Sequence, residues 1–121
     1  MSNAGNDALG GWVTQLRKGL AELCVLACLR PSEAYGYALL RRLERYPDLA
    51  VTESTLYPLL NRAADAGWVE VSHRPSPSGP PRRYYRLTPA GHRRLEAMIA
   101  AWQRTGSAIE HLLQEGDAPD A

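Results

Sequence analysis

Apolar positions recur along this chain with two different periods, and the change from one to the other marks out the elements. Between Trp12 and Leu29, residues Val13, Leu16, Leu20, Leu23 and Ala27 fall on one helical stripe, and from Leu20 onward the stretch is apolar nearly all round. A helix without a polar face is buried on several sides. Proline disfavours helix at the residue before it, so Arg30-Pro31 ends this one. A second helix is expected from Ser32 or Glu33 through Tyr46. It turns Tyr37, Leu39, Leu40 and Leu43 inward and Arg41, Arg42, Glu44 and Arg45 outward, with Gly36 permitting close approach of another backbone. Pro47-Asp48 reads as a turn, and Leu49 to Val51 as a short extended segment. Thr52 as N-cap and Gly67 as stop then bound a third helix of about 14 residues. Its stripe is Leu56, Leu59, Leu60 and Ala63, and its other face carries Glu53, Ser54, Tyr57, Asn61, Arg62 and Asp65. Pro58 lies inside it, removes one backbone hydrogen bond and should bend the first turns outward.

After Gly67 the period drops to two. Trp68 to Arg74 and Arg83 to Leu87 alternate and read as strands, joined by the proline-rich loop Pro75 to Pro81. Such a loop is too stiff for any regular element, and its exposure suits it to reach something outside the domain. Thr88-Pro89 is a strong helix start, an N-cap followed by proline at the first helical position. The last helix is expected to run to about Gln114. Written as a heptad, Leu95, Trp102 and Ile109 are a positions and Met98, Thr105 and Leu112 are d positions, with Ile99 and Leu113 beside the seam. Small residues at Thr105-Gly106 leave a gap in it. A helix of this length needs a surface to bury its stripe, and a partner subunit provides one.

The expected organisation is a flexible stretch at 1–11, one domain at 12–87, a dimerisation helix at 88–114 and a disordered acidic tail at 115–121. At 121 residues and 45% hydrophobic, the chain has material for a single core. Net charge is +1, so bulk charge selects no partner, but residues 51–87 carry five arginines against three acids. Cys24 and Cys28 are four apart in an apolar run, a spacing poor for a disulfide, and no further Cys or nearby His completes a metal set. Buried thiols suit a reducing cytoplasm. No signal peptide precedes them, and the strongly apolar run Leu23 to Leu29 is too short to span a bilayer, so no membrane partner is expected.

Three helices, a β-hairpin and a long helix form a mainly α chain with a small β-hairpin: a winged helix-turn-helix plus a long C-terminal dimerisation helix. Helix and wing together dock on duplex DNA in such folds. The N-terminus of the third helix, from Thr52, offers free N–H groups to phosphate. Ser54, Thr55, Tyr57 and Asn61 can reach bases or phosphates; Asn61 could pair with an adenine and Arg62 with a guanine. Arg74, Arg82 and Arg83 flank the wing and would clamp the backbone, with Lys18 and Tyr35 completing the expected contacts.

Several segments carry a resemblance. Leu16-Arg17-Lys18-Gly19, Tyr35-Gly36-Tyr37, Thr55-Leu56-Tyr57-Pro58-Leu59-Leu60 with Arg62 and Gly67, and Arg83-Tyr84-Tyr85-Arg86-Leu87-Thr88-Pro89-Ala90-Gly91 are similar to signature segments of the PadR family of transcriptional regulators. The resemblance covers roughly Leu16 to Leu113, and the Leu-Tyr-Pro segment combined with Tyr-Tyr-Arg-Leu-Thr-Pro-x-Gly is its specific part. It implies a homodimeric, mostly repressive regulator on a pseudo-palindromic operator. The last helix would pack on the first and last helices of the other subunit, placing Leu16, Leu20, Leu95, Met98, Ile99, Trp102, Ile109, Leu112 and Leu113 at the interface. The single C-terminal helix is similar to that of the compact subfamily. Some of its members hold flat aromatic ligands between paired tryptophans at the dimer centre; Trp102 matches that position, and Trp12 could line the same space. Trp102 filling the dimer core without any ligand fits its a position equally.

No Ser/His/Asp or Cys/His order suggests catalysis, the glycines form no phosphate loop, and no cofactor or metal is expected. The alternative to DNA binding is a winged helix used for protein–protein contact, which the net charge of +1 and the acids Glu53 and Asp65 on the third helix leave open.

Overall fold

The computed structural model describes residues 3–49 and 51–117. Helix α1 spans Asn3–Cys28, strand β1 Ala34–Tyr35, helix α2 Gly36–Glu44, helix α3 Glu53–Asp65, strands β2 Val69–Arg74 and β3 Arg82–Leu87, and helix α4 Pro89–Asp117. The fold is mainly helical with a small antiparallel sheet, as the hydrophobic pattern implies. Two boundaries move outward. Helix α1 begins at Asn3, well ahead of Trp12, and α4 runs on to Asp117, so part of each terminal stretch expected to be irregular is helical. The rest of the expected tail, residues 118–121, lies outside the described residues, as do Met1, Ser2 and Ala50.

The sheet has a third strand that the periodicity does not signal. Its order is β1-β3-β2, with Ala34 opposite Tyr85 and Tyr35 opposite Tyr84. Two residues cannot display an alternation, and Ser32-Glu33 imitates a helix start. The buried Ala34 and the extended backbone of Tyr35 (φ −90°, ψ 162°) delay α2 to Gly36. Leu39, Leu40 and Leu43 of that helix are buried as expected, but Tyr37 is 52% exposed. At about 100° per residue, Tyr37 lies roughly 110° round the helix from the centre of the Leu39, Leu40 and Leu43 face, which leaves it outside the buried stripe. Pro47–Leu49 forms one 3-10 turn, which takes in Leu49, the expected start of an extended segment.

Helix α3 ends in a Schellman motif. Gly67 adopts φ +81°, its N–H bonds the Ala64 carbonyl at 3.0 Å, and the Trp68 N–H bonds that of Ala63 at 2.9 Å. The helix runs unbroken through Pro58, and Leu56, Leu59, Leu60 and Ala63 are at most 4% exposed. Thr88 caps α4 as expected: its hydroxyl accepts the Gly91 N–H at 3.0 Å and donates to the Gly67 carbonyl at 2.6 Å. One threonine thus joins the start of α4 to the end of α3.

The core holds Val25 and Leu26 of α1, Leu29 just after it, the α2 and α3 leucines, Val69, Tyr85, Leu87 and Leu95. This splits α1 into two apolar faces. Val25, Leu26 and Leu29 are interior, whereas the Leu16–Leu20–Leu23 stripe stays exposed or half-buried along α4. Arg94 bonding Glu22 and Arg30 bonding Glu96 hold the two helices side by side.

Candidate nucleic-acid interface

Packing the apolar stripe of α3 inward leaves Ser54, Thr55, Tyr57, Asn61 and Arg62 on its outer face, all exposed. Thr52 occupies the N-cap position with extended backbone (φ −89°, ψ 164°), yet its hydroxyl does not cap the helix. It lies 2.8 Å from the Ser54 hydroxyl and 3.4 Å from that of Thr55. The opening turn therefore presents a cluster of three hydroxyls beside backbone N–H groups that no side chain takes.

The register of the hairpin decides what the wing presents. Val69 faces Leu87, Val71 faces Tyr85 and His73 faces Arg83 on the inner side; Glu70 faces Arg86, Ser72 faces Tyr84 and Arg74 faces Arg82 on the outer side. The outer side stacks arginine on tyrosine. The Arg82 guanidinium lies 4.6 Å from the Tyr35 ring centroid and that of Arg74 4.7 Å from Tyr84, while the two rings are 5.5 Å apart. Within this ladder the charges differ in availability. Arg74 is ion-paired with Glu33 and Arg86 with Glu70 at 2.6 Å, whereas Arg82 and Arg83 meet no carboxylate among the described residues. Glu33 carries no signal of this role in the sequence; it precedes β1, and only the strand pairing brings it to Arg74.

Between α3, the start of α2 and β3 lies a cleft of about 480 Å³, lined by Tyr35, Gly36, Tyr37, Tyr57, Arg82, Arg83 and Tyr85. Gly36 is what lets it form. A Cβ there would fall 2.6 Å from the Tyr57 ring and hydroxyl, so the close approach expected at Gly36 is made by a side chain of α3 and not by backbone. Partial burial pushes the Tyr57 phenol up from its ordinary value, with smaller contributions from Glu53 and Tyr85. The cleft thus brings four of the expected DNA contacts together: Tyr35, Tyr57, Arg82 and Arg83. Lys18 is exposed on α1 and outside this group.

The expected dimer residues divide. Leu95 is fully buried in its own domain and offers a partner nothing, which removes it from the interface. Met98 and Ile99 are half-buried against the same core. Trp102, Ile109, Leu112 and Leu113 are 51–66% exposed, as Leu16 and Trp12 are at 45% and 62%. Leu20, Leu23, Met98 and Trp102 line a groove of about 280 Å³ between α1 and α4; Trp12 is not among its residues. Among the described residues no group of three or more His, Cys, Asp or Glu could hold a metal ion, and no helix is long and apolar enough to cross a membrane.

This arrangement, a helix-turn-helix with a two-stranded wing and one long helix after it, is that of a winged-helix regulator. Residues 25–97 match the family described as transcriptional regulator PadR-like. A PadR family transcriptional regulator from Eggerthella lenta superposes with a TM-score of 0.85 at 34% identity, over 93% of this chain and 97% of that one. A PadR-like regulator from Bacillus cereus gives 0.72 at 34% identity, over 83% and 97%. Bacillus subtilis PadR in complex with operator DNA gives 0.59 at 22% identity, over 64% of this chain and 44% of that one, a likeness of fold. No curated protein matches the sequence. The chain belongs to the PadR-like family of transcriptional regulators, and the long helix α4 follows its wing.

Proposed function

We propose that this regulator is a sequence-specific DNA-binding repressor that acts as a homodimer in the cytoplasm. The observation that carries the DNA reading is the convergence of α3 and the wing: Tyr57 from one and Arg82 and Arg83 from the other line the same cleft. In this reading α3 enters the major groove, with Ser54, Thr55, Asn61 and Arg62 toward the bases and the Thr52 end toward a phosphate. Arg82 and Arg83 hold the adjacent backbone, because among the described residues they are the wing arginines without an acidic partner. Bacillus subtilis PadR, which shares the fold, was solved in complex with operator DNA, and this supports duplex DNA as the partner.

The homodimer reading rests on the exposed apolar residues Trp102, Ile109, Leu112 and Leu113 of α4 and Trp12 and Leu16 of α1. So many large apolar side chains on two adjoining helices mark an association surface. A flat aromatic effector bound beside Trp102 at the dimer centre would relieve repression; the groove between α1 and α4 supports this. Selection of bound sequences from a random duplex pool tests the whole reading. An inverted repeat with half-sites about one helical turn apart is expected, and recovery of no consensus would refute it.

A further inference from the structure

We propose that the cleft between α3 and the wing is a binding site for a free nucleoside monophosphate. Its volume of about 480 Å³ lies within the range of small-ligand pockets, roughly 300–1,000 Å³. Tyr35, Tyr37 and Tyr57 line it with accessible side chains above the buried Tyr85, and a planar base packs on such rings by offset or edge-on stacking.

The charge at its mouth is what selects a phosphate. Arg82 and Arg83 line the cleft, each lying over another lining residue, Tyr35 at 4.6 Å and Tyr85 at 5.7 Å. These contacts lay both guanidiniums against the rings of the cleft without neutralising them. Along the outer side of the sheet, Arg74 and Arg86 are consumed by Glu33 and Glu70, while Arg82 on the same side is not. Two placed, uncompensated guanidiniums offer paired N–H donors to a phosphate. The neutral phenol of Tyr57, against the start of α2 at Gly36, adds a hydroxyl donor. A phosphate joined to a planar base matches both halves of the cleft; inorganic phosphate or a nucleoside matches only one.

Occupancy has a consequence for regulation, which rests on the DNA reading above. Tyr57, Arg82 and Arg83 cannot serve a nucleotide and the operator backbone together, so the nucleotide competes with DNA directly. That would make nucleotide level a signal read at the DNA face, separate from anything bound beside Trp102.

Titration calorimetry of the full chain with adenosine and guanosine monophosphates, with inorganic phosphate and adenosine as half-ligands, tests the site. Either nucleotide is expected to bind at one site per chain, about tenfold or more tighter than either half-ligand. Amide shifts should centre on Tyr35, Gly36 and Tyr57, and Arg83→Gln should weaken the nucleotide about tenfold with unchanged thermal melting. No binding at millimolar nucleotide, equal binding by Arg83→Gln, or shifts centred on Trp102 would overturn it. Operator affinity measured without nucleotide reports on DNA binding separately. Added nucleotide should weaken that affinity, and occupancy without competition would overturn the regulatory consequence.

Discussion

Gly91 of α4 rests against the main-chain carbonyl of Trp68, so closely that a Cβ on it would overlap the oxygen and stand 2.9 Å from the carbonyl carbon. The same carbonyl accepts the Thr88 N–H at 3.0 Å, and the Trp68 ring carries the Arg94 guanidinium at 4.1 Å. The end of α3, the start of β2 and the first turn of α4 are therefore one rigid joint. Gly91→Ala is expected to cost about 1–3 kcal/mol, because backbone and not a flexible side chain must give way. Thermal melting should fall by several degrees. Gly11→Ala is the control: nothing lies within 4 Å of its Cβ, and it should be neutral or stabilising by up to about 1 kcal/mol. Equal melting of both variants would contradict the joint.

That joint shows what a sequence displays and what it hides. Thr88-Pro89 and Gly67 are legible as cap and stop because capping chemistry is local. So is the α3 stripe, since a helix buried on one face alone repeats cleanly at 3.6 residues. Strand β1 is not legible, because two residues hold no period. Leu95 reads as an interface residue because a heptad pattern is silent about which partner covers each turn; the early part of α4 packs on its own domain. The pairing of Glu33 with Arg74 depends on the sheet bringing β1 to β3, and no local signal anticipates it. Arg82 and Arg83 are readable as a cluster, but their freedom from acids is not.

The wing arginines should separate in their effect on DNA. Arg82→Ala with Arg83→Ala is expected to weaken binding to every duplex and to flatten the log–log salt dependence by up to about 1.8, near 0.9 for each phosphate no longer neutralised. Arg74→Ala should change the slope less, because Glu33 already holds that side chain. Fluorescence anisotropy of a labelled duplex across a salt series measures both. An unchanged slope in the double variant would take the wing off the DNA.

Two aspartate substitutions on α4 should fail differently. At Ile109, 51% exposed in the single chain, Asp should leave the monomer folded and split the dimer by placing an unpaired charge in the seam. At Leu95, fully buried, Asp should unfold the domain itself. Sedimentation and circular dichroism distinguish these outcomes. A dimer that survives Ile109→Asp would place the seam elsewhere.

Burial pushes the Cys24 and Cys28 thiols up from their ordinary value of 9.0, with the charge of Arg42 offsetting part of the rise at Cys28. The folded chain therefore keeps protons that the unfolded chain releases, so stability is full below the ordinary thiol value and falls as pH climbs through it. Melting temperature should decline above about pH 9. Alkylation by iodoacetamide at about pH 8 should be about tenfold or more slower in the native chain than in urea. Equal rates would show that the thiols are neither shielded nor held protonated.

The most direct test of a DNA-binding regulator is a mobility shift on the DNA upstream of its own gene, at low salt and then at increasing salt. A discrete complex is expected at low salt, resistant to competitor DNA and weakening steeply as salt rises. No discrete complex at low salt would contradict the assignment of α3 and the wing to DNA.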